Sequence, residues 1–195
     1  MRSFTLIEIV VVISIILILT VLAFPNFHEA NSKFALDRSI YKLSQDLRNA
    51  EEISMSARTT PLEFEGGIGP TFFPKGGYGL YFQEASSSYI LFADCNGNGQ
   101  YDAADDPPRA DKCSEAEINK PYPEKMKDIA LESGIKIGML NPKYSTDNSL
   151  SVTFFPPDPK ITIFPDASTA FITVFFGSKT EKTVSINSIG LIEIQ

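Results

Sequence analysis

Residues 4–27 read FTLIEIVVVISIILILTVLAFPNF, and the reading of this stretch decides the architecture of the chain. Between positions 4 and 24 only Thr5, Glu8, Ser14 and Thr20 are not apolar. In a helix those 21 residues extend roughly 31 Å, the thickness of a bilayer hydrocarbon core. A cleaved secretory signal is one alternative, with Val21, Leu22 and Ala23 imitating its cleavage site. The apolar run is too long for it, since such signals use about 7–15 apolar residues. A single-pass anchor is the other alternative. Arg2 precedes the span, and by the positive-inside tendency it keeps the N-terminus cytoplasmic and the bulk of the chain outside.

Beyond Pro25 the helical pattern resumes. Leu36, Ile40, Leu43, Leu47, Ala50 and Ala57 recur at three- and four-residue steps and make one apolar stripe. Asp37, Arg38, Lys42, Asp46, Arg48, Glu51 and Glu52 fall mainly off it. Pro25 inside such a helix implies a kink or a lost hydrogen bond. The expectation is one long helix, kinked near Pro25, with a membrane half over 4–24 and an amphipathic half over 25–58. It should end around Arg58, ahead of the β-branched pair and Pro61 in TTPLEF.

From position 62 to the end, 195, the texture is β. GYGLYF and SYILFAD flank QEASSS and read as a hairpin. LSVTFF, KITIF, AFITVFF, KTVSIN and LIEI are short β-rich runs, parted by PPDP, PDAS, GSKTE and NSIG turns. The fold class is therefore α+β: the long N-terminal helix closes the open face of a C-terminal antiparallel sheet or sandwich. Residues 94–123 differ, being rich in Asp, Asn, Gly and Pro, and read as an ordered insertion loop.

That loop opens with DCNGNGQYDAAD, which fits the first half of a calcium loop. Asp94, Asn96, Asn98, Asp102 and Asp105 take the first, third, fifth, ninth and twelfth places, Gly99 the sixth and Gln100 the seventh. A loop of this kind uses oxygen side chains at the former positions and a backbone carbonyl at the seventh. Two features depart from it: Asp105 stands where a bidentate Glu is usual, and a β-like run leads in. Asn-Gly pairs are also ordinary hairpin-turn chemistry, so calcium ligation and a plain turn both stand. Calcium, if held, should bind with extracellular-grade affinity of about 10⁻⁴ to 10⁻³ M. Cys95 and Cys113, the two cysteines of the chain, bracket the loop and are expected to pair outside the cytoplasm. Closing that loop should stabilise by about 3 kcal/mol in the chain-entropy account.

The N-terminal stretch, taken whole, resembles the cleavage-and-methylation signature of type IV pilins and type II secretion pseudopilins. The residues that carry the likeness are a short leader with Arg2, then Phe4, Glu8, the apolar span and Pro25. Counting Phe4 as first, Glu8 is fifth and Pro25 twenty-second, the family's places for its glutamate and kinking proline. Ser3 stands where the family nearly always carries glycine. LSQDLRNAEEISMSARTTPLEF is similar to the helix end of GspH/FimT-type minor pseudopilins, and ILFADCNGNGQYD and VSINSIGLIEI resemble that subgroup less specifically. The resemblance implies a leader over 1–3 removed by a prepilin peptidase between Ser3 and Phe4, and methylation of the Phe4 amine. It also implies residence in the inner membrane with the C-terminal domain outside, then assembly with other subunits through bundled N-terminal helices.

Glu8 can be weighed on its own. An intramembrane carboxylate costs on the order of 2.5–3.5 kcal/mol at mid-span and less near an end. Thr5 and Glu8 have capping-box spacing, and a carboxylate in a first helical turn suits the helix dipole. The other role is intermolecular: Glu8 neutralises the Phe4 amine of a neighbour and so sets subunit register.

Other functions are weaker readings. The net charge of −7 gives no basic footprint for nucleic acid. A DNA-uptake minor pilin is the alternative, but Leu191 and Glu193 stand where that subgroup carries arginines, and Lys179 and Lys182 add little. No G-x-S-x-G elbow or phosphate-binding glycine loop accompanies the single histidine, His28, so no enzyme is expected.

Overall fold

The computed structural model describes residues 5–56, 63–64, 67–68, 73–95, 97–102, 124–156, 160–177 and 180–195, with the backbone alone at 22–30, 63–64 and 67–68. Among the described residues one helix, α1 (Leu6–Met55), is followed by strands. The strands are β1 (Glu63–Phe64), β2 (Gly67–Ile68), β3 (Gly77–Gln83), β4 (Ser88–Asp94), β5 (Lys125–Ala130) and β6 (Ile135–Asn141). After them come β7 (Ser149–Phe155), β8 (Lys160–Phe164), β9 (Thr169–Phe176), β10 (Thr180–Asn187) and β11 (Ile192–Ile194). The α+β class stands. Pro25 lies within the bounds of α1, and the helix closes at Met55 with Ser56 as its cap, a little short of Arg58.

The strands form two principal sheets, one ordered β5-β4-β3-β7-β8 and the other β11-β10-β9-β6, and β1 pairs with β2 apart from them. Every ladder is antiparallel. At one corner the turn of the β3–β4 hairpin joins the sheets. The Ala85 N–H donates to the Ile137 carbonyl at 2.9 Å, and the Ile137 N–H to the Ser86 carbonyl at 2.8 Å.

The stripe predicted on the helix is the one that is buried. Leu36, Ile40, Leu43, Leu47 and Ala50 are inaccessible to solvent, and Ala57 lies outside the described residues. They form one core with Leu80, Phe82, Val152 and Phe154 of the first sheet and Ile137, Ile172, Val174 and Val184 of the second. Polar contacts off the stripe fasten the same helix. The Tyr89 hydroxyl donates to Asp46 at 2.5 Å, the Tyr78 N–H to the Ser54 hydroxyl at 3.0 Å, and Lys42 Nζ to the Ala130 carbonyl at 3.0 Å. Ser54 is wholly buried, so its hydroxyl spares β3 an unsatisfied N–H where the helix ends.

The hairpin and the five later β-rich runs all appear as strands. β5 and β6 have no counterpart among those runs. β5 is an edge strand that buries Met126 and sets Lys127 and Asp128 toward solvent, so no apolar alternation marks it. β6 carries Gly138, and its ladder with β9 shifts register between Ile137 and Leu140, which breaks the period-two pattern.

Truncating the stripe should unfold the domain readily, whereas the exposed aromatic beside it should not matter. In urea melts of the full chain in detergent, Leu43→Ala should lose about 2–5 kcal/mol and Tyr41→Ala no more than about 0.5 kcal/mol. Equal effects would contradict the assigned helix face.

Candidate functional site: a bare apolar stem and a clamped loop

Two features stand out against this fold. The first is the start of α1. Thr5 is the N-cap, its hydroxyl accepting from the Glu8 N–H at 3.4 Å, so half of the anticipated capping box is present. Five consecutive residues, Ile9 to Ile13, are each 50–52 % exposed. Successive helical residues point about 100° apart, so equal exposure over five of them means that, among the described residues, no side of the stem is covered. The two hydroxyls farther along fold back on their own helix. Ser14 donates to the Val10 carbonyl at 2.8 Å and Thr20 to the Ile16 carbonyl at 2.7 Å. Both polar groups are thereby satisfied without any outside partner. Glu8 differs: it is exposed, and its carboxylate makes no hydrogen bond or ion pair among the described residues.

Among the described residues no helix is long and apolar enough to cross a membrane. The side chains described for the stem stop at Val21, and those of 22–30, Pro25 among them, lie outside the description. Ser3 and Phe4 also lie outside the described residues.

The second feature is the opening of the insertion. Asp94 ends β4 on the face of the five-stranded sheet turned away from α1, and it is 1 % exposed. Its Oδ1 accepts from the N–H groups of Gly97 at 2.7 Å and Asn98 at 3.2 Å, and its Oδ2 from that of Gly99 at 2.7 Å. Gly97 and Gly99 have φ of 78° and 75°, the left-handed conformation that lets the chain curl round one carboxylate. Burial raises the Asp94 pKa, and the three backbone donors oppose the rise. Asn98 turns its amide nitrogen to Asp102 at 3.0 Å and accepts from the Gln100 N–H at 2.7 Å. Tyr101 then lies on the sheet, its ring centroid 4.8 Å from that of Tyr81 and 5.5 Å from that of Phe92.

As placed, Asp94, Asn98, Gln100 and Asp102 make a carboxylate-capped turn. Asn96 and Asp105 lie outside the described residues. Among the described residues no group of three or more His, Cys, Asp or Glu side chains is gathered to hold a metal ion. Cys95 is disulfide-bonded, and Cys113 lies outside the described residues.

The structure adds a residue that no motif announces. Glu124, 5 % exposed just before β5, accepts from the Cys95 N–H at 3.1 Å and the Asp102 N–H at 2.8 Å. Its carboxylate thus ties the exit of the insertion to its entry. Burial pushes its pKa up to about 8; the two backbone donors oppose this, and the Asp94 and Asp102 carboxylates add to it. A lone Glu after a Pro-rich stretch has no spacing that marks it.

No family model, curated protein or solved structure matches the chain. At the C-terminal turn, Lys182 is paired with Asp37 at 2.5 Å and Leu191 is exposed, while Lys179 lies outside the described residues.

The Glu124 clamp has a pH signature. An acid whose folded pKa exceeds its unfolded value binds more protons when folded, so stability falls as pH rises between the two. Thermal melts of the full chain should therefore show stability falling from roughly pH 4.5 to pH 8, the interval from the ordinary carboxyl value to the raised one. Glu124→Gln should remove most of that slope. An unchanged slope in the variant would contradict the assignment.

Proposed function

We propose that the chain is a structural subunit, of the minor kind, of a type IV pilus or type II secretion pseudopilus. In this reading prepilin peptidase cuts between Ser3 and Phe4, and the Phe4 amine is methylated. Residues 4–24 hold the subunit in the inner membrane with the β domain outside the cytoplasm. Pro25 kinks the helix between its membrane and amphipathic halves, and the subunit then joins others by bundling N-terminal helices. Cys95 pairs with Cys113, the only other cysteine in the sequence.

The observation that carries this reading is the bare stem with one uncommitted carboxylate near its start. Thirteen large apolar side chains between Leu6 and Val21 are half exposed or more. Burial of such a side chain stabilises by about 1.5–3 kcal/mol, so leaving all of them partly in water costs on the order of 10 kcal/mol. That rivals the whole stability of an ordinary domain. Lipid removes the cost before assembly, and a bundle of like helices removes it afterwards. In the bundle Glu8 meets the new amine of a neighbour's Phe4, and a buried charge pair of this sort fixes register.

No DNA-binding role is included, because the C-terminal turn offers Leu191 and Glu193, and Lys182 is already held by Asp37.

The test is substitution of Glu8. Glu8→Ala and Glu8→Gln should leave the amount of subunit in the membrane unchanged and lower its recovery in sheared filaments at least about tenfold, a loss of about 1.4 kcal/mol or more in the assembly step. Filament incorporation at the wild-type level would contradict the pairing.

A further inference from the structure

The turn built around Asp94 also forms one wall of a groove on the outer face of the five-stranded sheet. The groove encloses about 340 Å³, within the range of small-ligand sites. Lys75 and Gly76 line it ahead of β3, Thr153 and Phe155 on β7, and Lys160 and Thr162 on β8. Its shape depends on the glycines of the NGNG stretch. A Cβ at Gly99 would stand 2.8 Å from Thr162 Cγ2, and the stem of Lys75 lies alongside Gly97. Gly76 is required for the same reason, since a Cβ there would stand 1.9 Å from Asp94 Oδ2.

The charge of the groove is the reverse of the chain's. The protein has a net charge of −7, yet two lysines flank this groove, and neither ammonium has a hydrogen bond or ion pair among the described residues. The carboxylate in the lining is that of Asp94, buried and taken up by three backbone N–H groups. Two lysines act as point charges, a role in which lysine commonly binds phosphate. Their summed charge matches the roughly −1.5 to −2 of a phosphate monoester near neutral pH. The Thr162 hydroxyl adds a donor, and the Phe155 ring, 38 % exposed, offers an apolar surface beyond the charged end.

We propose that this groove is a binding site for a phosphate monoester, its phosphate held between Lys75 and Lys160 and its organic part laid along Phe155. The proposal is independent of the filament reading, since it rests on residues of the β domain alone.

Titrating phenyl phosphate into the full chain in neutral detergent at low ionic strength, followed by calorimetry, tests it. Saturable binding is expected, with Kd on the order of 1 mM. The paired change Lys75→Ala with Lys160→Ala should weaken it at least about tenfold, while Lys127→Ala on β5 should leave it unchanged. Thermal melts of each variant establish that it is folded. Absence of saturation, or equal weakening by Lys127→Ala, would overturn the proposal. Competition then separates the sources of the monoester. Displacement by short-chain phosphatidic acid in the same micelles assigns a lipid headgroup, and its failure assigns a soluble ligand.

Discussion

The structure depends on one helix having two kinds of apolar surface. Over 36–50 the apolar residues keep to one side and are buried against both sheets. Over 6–21 they face every direction, and among the described residues nothing covers them. The first arrangement makes a domain, and the second leaves an apolar surface that further burial would stabilise. Both lie within α1, so the chain passes from one arrangement to the other without leaving the helix. On the proposed reading this continuity links the bundled stem to the β domain, and it shows in the change of pattern on either side of Pro25.

The insertion follows a different logic. A polar turn laid on a sheet face leaves backbone N–H groups unsatisfied unless something gathers them. Asp94 gathers three at the entry, Glu124 gathers two across the neck, and the disulfide at Cys95 adds a covalent tie. Tyr101 packs on Phe92 and Tyr81, so part of this sheet's outer face is covered as well as the face against the helix. The same construction leaves the groove beside Lys75 and Lys160 open.

Much of this was legible in the residues. The stripe of Leu36, Ile40, Leu43, Leu47 and Ala50 is a period-3.6 signal and needed no tertiary information. The runs SYILFAD and AFITVFF are rich in the aromatic and β-branched residues that strands favour and are set off by turn residues. β5 and β6 were not legible, because an edge strand can bury a single side chain and a shifted register erases the alternation. In the loop, the spacing from Asp94 to Asp102 fits a calcium-loop pattern and equally a capped turn. The geometry shows Asp94 turned to backbone donors. Glu124 was invisible for a plain reason: its partners are backbone N–H groups 29 and 22 positions away, and backbone leaves no mark in a sequence.

On the proposed reading the apolar stem is a processed filament helix whose new N-terminus is Phe4. Mass spectrometry of the N-terminal peptide of the protein extracted from membranes tests it most directly. The account predicts a peptide that begins at Phe4 and carries a single methyl group on its amine. A peptide that retains Met1, or one that begins after Ala23, would contradict it.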